Sequence, residues 1–357
     1  MKRRKVLWLA LMGLLLSGCK IDITVTSRTS EAGGGGGDSQ VGTAVSKEEA
    51  NNRVTAAFIK SDIADATTYQ QVTNQDLKDT YKDYINEELV YDGEERVTAV
   101  AEIKATGLKT DDPKVMVTGE FVDVTKEEGV ENYYYEADRA LYFTEGWVYA
   151  HENYKERVGG PSEPLATGEM KIKQNFGVIT GPEMAEMLKE MDLIELPIPA
   201  MYSEGATNFL GQVQNVTAVK SGNNLTVTYN LTKADIMVML ETSLRAMINT
   251  EDYTSEELAE FEEFIAWYLA LMEEILEVTL HKITIGINGD DYLTQVRSDI
   301  DVTMTTVIEP NEWHPEGRTQ VQRTAGYIDL RPKFNETFTI TFPDFSDYIE
   351  GEIFGGE

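Results

Sequence analysis

Cys19 is the residue best placed for covalent chemistry: it is the single cysteine in 357 residues, and it follows Leu16-Ser17-Gly18 at the close of an apolar run from Val6 to Leu16. Lys2, Arg3, Arg4 and Lys5 precede that run. Cations, a short apolar stretch and small residues before a cut are the parts of an export signal, and the run falls short of the ~20 apolar residues that a spanning helix needs. Ser17 and Gly18 fit a peptidase pocket, and the thiol behind them can become a thioether on acylation. Once Cys19 is used in this way, no thiol is left for a disulfide, although exported proteins commonly carry them.

Other chemistry-bearing residues do not converge. His151, His281 and His314 stand apart, and the chain holds no H-E-x-x-H, no G-x-S-x-G, no Walker lysine loop and no G-x-G-x-x-G. No D-x-[DN]-x-[DN]-G run offers a calcium loop. Aspartate and glutamate together number 62 against 31 lysines and arginines, so any one carboxylate pair is uninformative. The reading is a non-enzyme without cofactor or metal. A formal charge of −31 argues against nucleic acid and anionic head groups as surface partners, and otherwise describes a solvated surface.

Two residue types could carry binding. Met184, Met187 and Met191, and Met237, Met239 and Met247, fall on helical faces, where methionine either fills a core or accepts varied apolar ligands. Tyr133 to Tyr154 is rich in tyrosine. Aromatic cross-strand pairs that stabilise an exposed sheet face are the first reading of that segment, and a ring ladder serving as a platform for sugars is the second.

The elements that position these residues follow from periodicity. Residues 1–18 form the signal, residues 19–46 with Gly33–Gly37 form a flexible tether, and residues 47–357 form a single domain. Ser46 with Glu49, and Thr254 with Glu257, have capping-box spacing and open helices to about Ala66 and about Glu277. Lys233–Ile248 and the stretch from Gly181 are helical in period. Val97–Thr106, Lys114–Thr125, Asn132–Ala137, Ala140–Thr144 and Trp147–Tyr154 read as antiparallel strands, with Asp138-Arg139 and Glu145-Gly146 as tight turns. Leu225–Leu231, Ile283–Ile287, Val296–Thr306 and Phe338–Phe342 alternate as strands, Asn288–Asp291 is a turn, and Glu309–Arg323 is irregular. The whole reads as an α+β domain, a curved and largely antiparallel sheet in the form of a half-barrel, with its concave apolar face covered by helices.

Leu16–Cys19 resembles the lipobox of bacterial lipoproteins. The same start, the glycine-rich tether, the aromatic hairpins Tyr133-Tyr134-Tyr135, Leu141-Tyr142 and Trp147-Val148-Tyr149, the helix pair between strands and the closing Thr339–Pro343 together resemble the superfamily of lipoprotein carriers and mycobacterial LppX/LprG-type lipoproteins. That resemblance implies a half-barrel that accepts lipid chains. The lining expected here is Val227, Tyr229, Leu231, Met237, Leu240, Leu244, Ile265, Tyr268, Met272, Ile283, Ile285, Ile287, Ile300, Val302 and Met304. Partners are then the membrane, through lipidated Cys19, and a lipid or other apolar ligand between sheet and helices. The expected location is extracytoplasmic, lipid-anchored to the cell membrane or the outer membrane. The alternative is a non-enzymatic envelope interaction or structural lipoprotein with a filled core.

Overall fold

The computed structural model describes residues 42–190, 210–246, 254–310, 316–351 and 353. Cys19, the signal, most of the tether, Met191, Met247 and His314 lie outside the described residues. In chain order the elements are β1 (Thr43–Ala44), α1 (Lys47–Lys60), β2 (Thr68–Ile85), β3 (Glu88–Thr106), β4 (Lys114–Glu127), β5 (Val130–Thr144), β6 (Trp147–Val158), β7 (Ala166–Asn175) and α2 (Gly181–Glu190). They continue with β8 (Val216–Ser221), β9 (Asn224–Asn230), α3 (Lys233–Ala246), α4 (Ser255–Ile275), β10 (Leu276–Ile287), β11 (Leu293–Ile308), β12 (Arg318–Phe334) and β13 (Ile349–Glu350).

Alternation decides most of this. In β3, Val97, Ala99, Ala101, Ile103 and Ala105 alternate with Thr98, Val100, Glu102, Lys104 and Thr106, a period of two that suits a strand and no helix. The hairpins close on two-residue turns with positive φ at both positions, Asn86-Glu87, Glu128-Gly129 and Glu145-Gly146, the twist that matches paired strands. Both capping serine and threonine readings hold, since Ser46 accepts from the Glu49 amide and Thr254 forms a full capping box with Glu257. One sheet results, ordered β1-β8-β9-β10-β11-β12-β2-β3-β4-β5-β6-β7-β13. Its pairings are antiparallel except that of β7 with β13. Two-residue strands at both edges leave little template for accidental pairing.

Two apolar clusters occupy the same face. Under α1, α3 and α4 lie Val227, Tyr229, Ile283, Ile285, Val296 and Leu330. At the other side of that face, Ile63 and the Met184, Ala185 and Leu188 side of α2 cover Tyr69, Ile103, Val115, Phe143 and Val148. The opposite face is a lattice of ion pairs, among them Lys282 and Arg297 with Asp299, Arg323 with Asp301, Arg96 with Asp76, Lys78 and Lys126 with Glu94, and Lys155 with Glu136. Each pair contributes only about 0–1 kcal/mol, so their effect is to keep that face wet. After β12 the chain crosses this face as an extended strap, where Phe345 stacks on Tyr149 with centroids 3.7 Å apart and Lys171 holds Asp347 at 2.7 Å. It ends as β13 on the β7 edge.

The expected half-barrel is corrected by this arrangement. The molecule is one thirteen-stranded sheet with strands up to 19 residues long, and helices cover only part of one face. Leu77–Ile85 and Glu88–Tyr91, given no strand above, belong to β2 and β3, and Arg318–Arg323, called irregular above, opens β12. Asp138-Arg139 is no turn, because β5 runs straight through it. Phe338–Phe342 is no strand but part of the strap. Lys78–Lys82 and Arg318–Arg323 are largely polar on both faces, which erases the apolar alternation by which a strand is recognised, whereas Phe338–Phe342 alternates without forming a strand.

Candidate functional site

The fifteen residues expected to line a lipid cavity do come together, but as packing. Val227, Tyr229, Leu231, Leu244, Ile265, Tyr268, Met272, Ile283, Ile285 and Ile287 are buried in one cluster, with Met237, Leu240, Ile300, Val302 and Met304 partly buried against it. The Tyr229 hydroxyl donates to Asn51 Oδ1 at 2.8 Å, which ties α1 to the sheet and satisfies the polar end of a buried ring. The side chains themselves occupy the layer in which an acyl chain was expected.

On the opposite face, an open depression of ≈ 320 Å³ is lined by Val100, Glu102, Thr118, Glu120, Asp138, Ala140 and His151. Two of its lining groups are engaged by neighbouring side chains. Glu102 accepts from Lys104 at 2.6 Å and from Gln70 at 2.7 Å, and His151 meets Glu169 at 3.2 Å. Among the described residues no three acidic, histidine or cysteine side chains are grouped to hold a metal ion.

A third arrangement lies on the helix-bearing face, over β4 to β7. Phe121, Tyr135 and Tyr154 belong to neither apolar cluster and are only half-buried. Tyr154 is the cross-strand partner of Gly168, and a Cβ built on Gly168 would meet three atoms at the phenol end of that ring at 2.4, 2.5 and 2.6 Å. The ring therefore lies down along the sheet instead of standing on it, and only a glycine leaves it room. Tyr135 is within 17° of parallel to it, with centroids 6.3 Å apart, and Phe121 meets Tyr135 edge-on at 6.0 Å. The two tyrosines form a stacked pair.

Hydrogen bonds hold that surface in place. Tyr135 donates to Glu152 Oε1 at 2.5 Å, Arg139 Nε donates to the same oxygen at 2.6 Å, and Arg139 Nη2 donates to the Tyr135 hydroxyl at 2.9 Å. This triangle holds the guanidinium carbon of Arg139 5.9 Å from the Tyr135 ring centroid. Burial, then the bond to Glu152, pushes the Tyr135 hydroxyl up to about 12, so it stays protonated and serves as a donor throughout the physiological range. A flat, apolar surface with fixed polar groups at its border can bind a ligand that has an apolar face and a polar rim.

Part of this was visible in the tyrosine-rich segment. Phe121 and Gly168 gave no signal alone, because their roles come from pairing between β4 and β5 and between β6 and β7. Arg139 was hidden by the expectation of a turn at that position.

No protein-family model matches the chain, and no curated protein matches it. Among solved structures it is similar to the translocator domain of the autotransporter NalP from Neisseria meningitidis, at 7% identity over 80% of this chain and 95% of that one, with a TM-score of 0.18. It is also similar to the outer membrane protein OprG of Pseudomonas aeruginosa, at 4% identity over 76% of this chain and 100% of that one, TM-score 0.13. The β domain of the Bordetella autotransporter BrkA gives 5% identity over 76% and 100%, TM-score 0.16. Scores of this size establish neither fold nor function. The thirteen-stranded sheet and the filled layer overturn the LppX/LprG resemblance and the lipid-carrying reading, and the partnership through acylated Cys19 finds no support in these titles, none of which names a lipid-anchored protein. The outer membrane, which the OprG title names, is one of the two locations expected above; lipid anchoring finds no support among these titles.

Proposed function

We propose that the protein is an exported, non-catalytic binding module that takes a carbohydrate chain on the Tyr135–Tyr154 surface. The observation that carries this reading is the pair of rings, Tyr154 laid over Gly168 and Tyr135 nearly parallel to it with centroids 6.3 Å apart, outside both apolar clusters. Rings that merely pack would be expected to join a core, whereas these are fixed by Gly168 beneath one and by Glu152 and Arg139 at the rim of the other. A sugar ring has an apolar face of C–H groups and an equatorial border of hydroxyls. Its face loses water against the tyrosines, and its hydroxyls reach the carboxylates and guanidinium alongside.

The test is affinity electrophoresis of the purified chain through gels that contain soluble polysaccharides of different linkage. Retardation in at least one gel, removed by Tyr154→Ala with the melting temperature unchanged, is the expected result. Equal mobility in every gel would end this reading.

A further inference from the structure

We infer that Thr337–Phe342, within the strap, is a strand whose partner is the same segment of a second copy of this chain. Thr337-Phe338-Thr339-Ile340-Thr341-Phe342 consists of β-branched and aromatic residues in strict alternation and carries no charge, a composition that favours a strand. Its exposure is that of a strand: the threonines are exposed, and Phe338, Ile340 and Phe342 between them are half-buried. Yet it belongs to no sheet, and its backbone N–H and C=O groups make no hydrogen bond among the described residues. Bonding stops on either side of it, at Glu336, whose carbonyl accepts from Thr68 Oγ1 at 2.7 Å, and at Ser346, whose amide donates to Asp344 Oδ1 at 3.0 Å. Phe342 is held by its ring alone, edge-on to Tyr142 with centroids 6.1 Å apart. An extended segment fixed at its ends with its backbone edges open is a template for strand addition.

The segment is complementary to itself. Laid antiparallel about Ile340, it sets Ile340 against Ile340, Phe338 against Phe342 and Thr339 against Thr341, so apolar side chains meet on one face and threonines on the other. Such a contact is isologous and closes on two copies. Each copy carries a formal charge of −31, and an uncharged segment lets the two approach without setting like charges opposite one another. Glu336 and Asp344 face each other in the same register and confine the pairing to the residues between them. Six paired residues fall far short of a permanent interface, so the association is weak, with a midpoint on the order of 0.1 mM.

The experiment is sedimentation equilibrium of the full chain from about 10 μM to about 1 mM at about 0.15 M salt, where the Debye length is about 8 Å, with amide hydrogen exchange at both ends of that range. The dimer fraction is expected to rise across it. Alternate amides of Thr337–Phe342, those on the paired edge, are expected to exchange freely in the dilute sample and about threefold more slowly in the concentrated one. Ile340→Pro removes an N–H that bonds to nothing within one copy, so it should leave the melting temperature unchanged and keep the chain monomeric throughout. Thr339→Lys/Thr341→Lys alters only exposed side chains, sets lysine against lysine across the pair, and should do the same. A parent that stays monomeric at the highest concentration, a dimer that both variants form as readily as the parent, or amide protection that is the same at both concentrations would overturn the inference.

Discussion

Tyr154 lies over Gly168 of the adjoining strand so closely that no side chain can be placed between them, with an added Cβ meeting the ring at 2.4 Å. Elsewhere a glycine inside a strand weakens it; here it lets a ring lie flat. Gly168→Ala should lift the ring, lower affinity for an oligosaccharide by about 3- to 10-fold, the scale of one aromatic contact, and leave the sheet folded. Calorimetry and circular dichroism on the same sample check both halves.

Ile285 tests the filled layer. It is fully buried between β9, β11 and the helices, so Ile285→Ala should cost about 2–5 kcal/mol. Ile285→Trp should also destabilise, by about 1–3 kcal/mol through overpacking. Urea denaturation measures both. A tryptophan variant that was as stable as the parent would reveal room that the packing denies.

Arg53 joins three segments distant in sequence. It donates to Asp291 Oδ1 at 2.7 and 3.0 Å and to the Asn288 carbonyl at 3.2 Å, with the Asn223 carbonyl 3.4 Å away, so one side chain ties α1 to two hairpin turns. Arg53→Ala should cost about 1–2 kcal/mol, and Arg53→Lys should restore only part of that because a point charge cannot reproduce the fork. Thermal unfolding resolves the series.

His281 gives a dependence on pH. Part of its side chain reaches solvent, but Nδ1 is buried without a hydrogen-bond partner among the described residues, and burial lowers its pKa to about 4. The unfolded chain takes up this proton below about pH 6.5 and the folded chain only near about 4. Stability should therefore be insensitive to this group above about pH 6.5 and should fall as the pH drops from there toward 4. His281→Leu should flatten that part of the profile. Denaturation midpoints of parent and variant at pH 7 and at pH 4.5 give the comparison, and parallel profiles would refute it.

How far the sequence leads can be seen residue by residue. Where one strand face is buried, as for Ile283-Ile285-Ile287 against Thr284-Gly286-Asn288, alternation locates the strand and its inward side. The Thr254 capping box and the Glu145-Gly146 turn are equally direct, since each is local chemistry. Lys78, Asp79, Thr80, Tyr81 and Lys82 carry no such pattern, yet they lie within an 18-residue strand whose partners are more than 200 residues away on one side. Pairing with β3 and β12 holds that stretch, and no property of its own residues announces it. The tyrosine surface was half legible for the same reason: its rings stand out in the sequence, but the glycine that flattens one of them is on another strand.

The central claim is that Tyr135 and Tyr154 bind a sugar chain, and titration calorimetry of the parent beside a Tyr135→Ala/Tyr154→Ala variant tests it most directly. With a glucosamine hexamer as the probe, the parent should give saturable heat and the variant at least about tenfold weaker binding at an unchanged melting temperature. Equal affinity of parent and variant would contradict it, as would the absence of heat from the parent together with equal mobility in every polysaccharide gel.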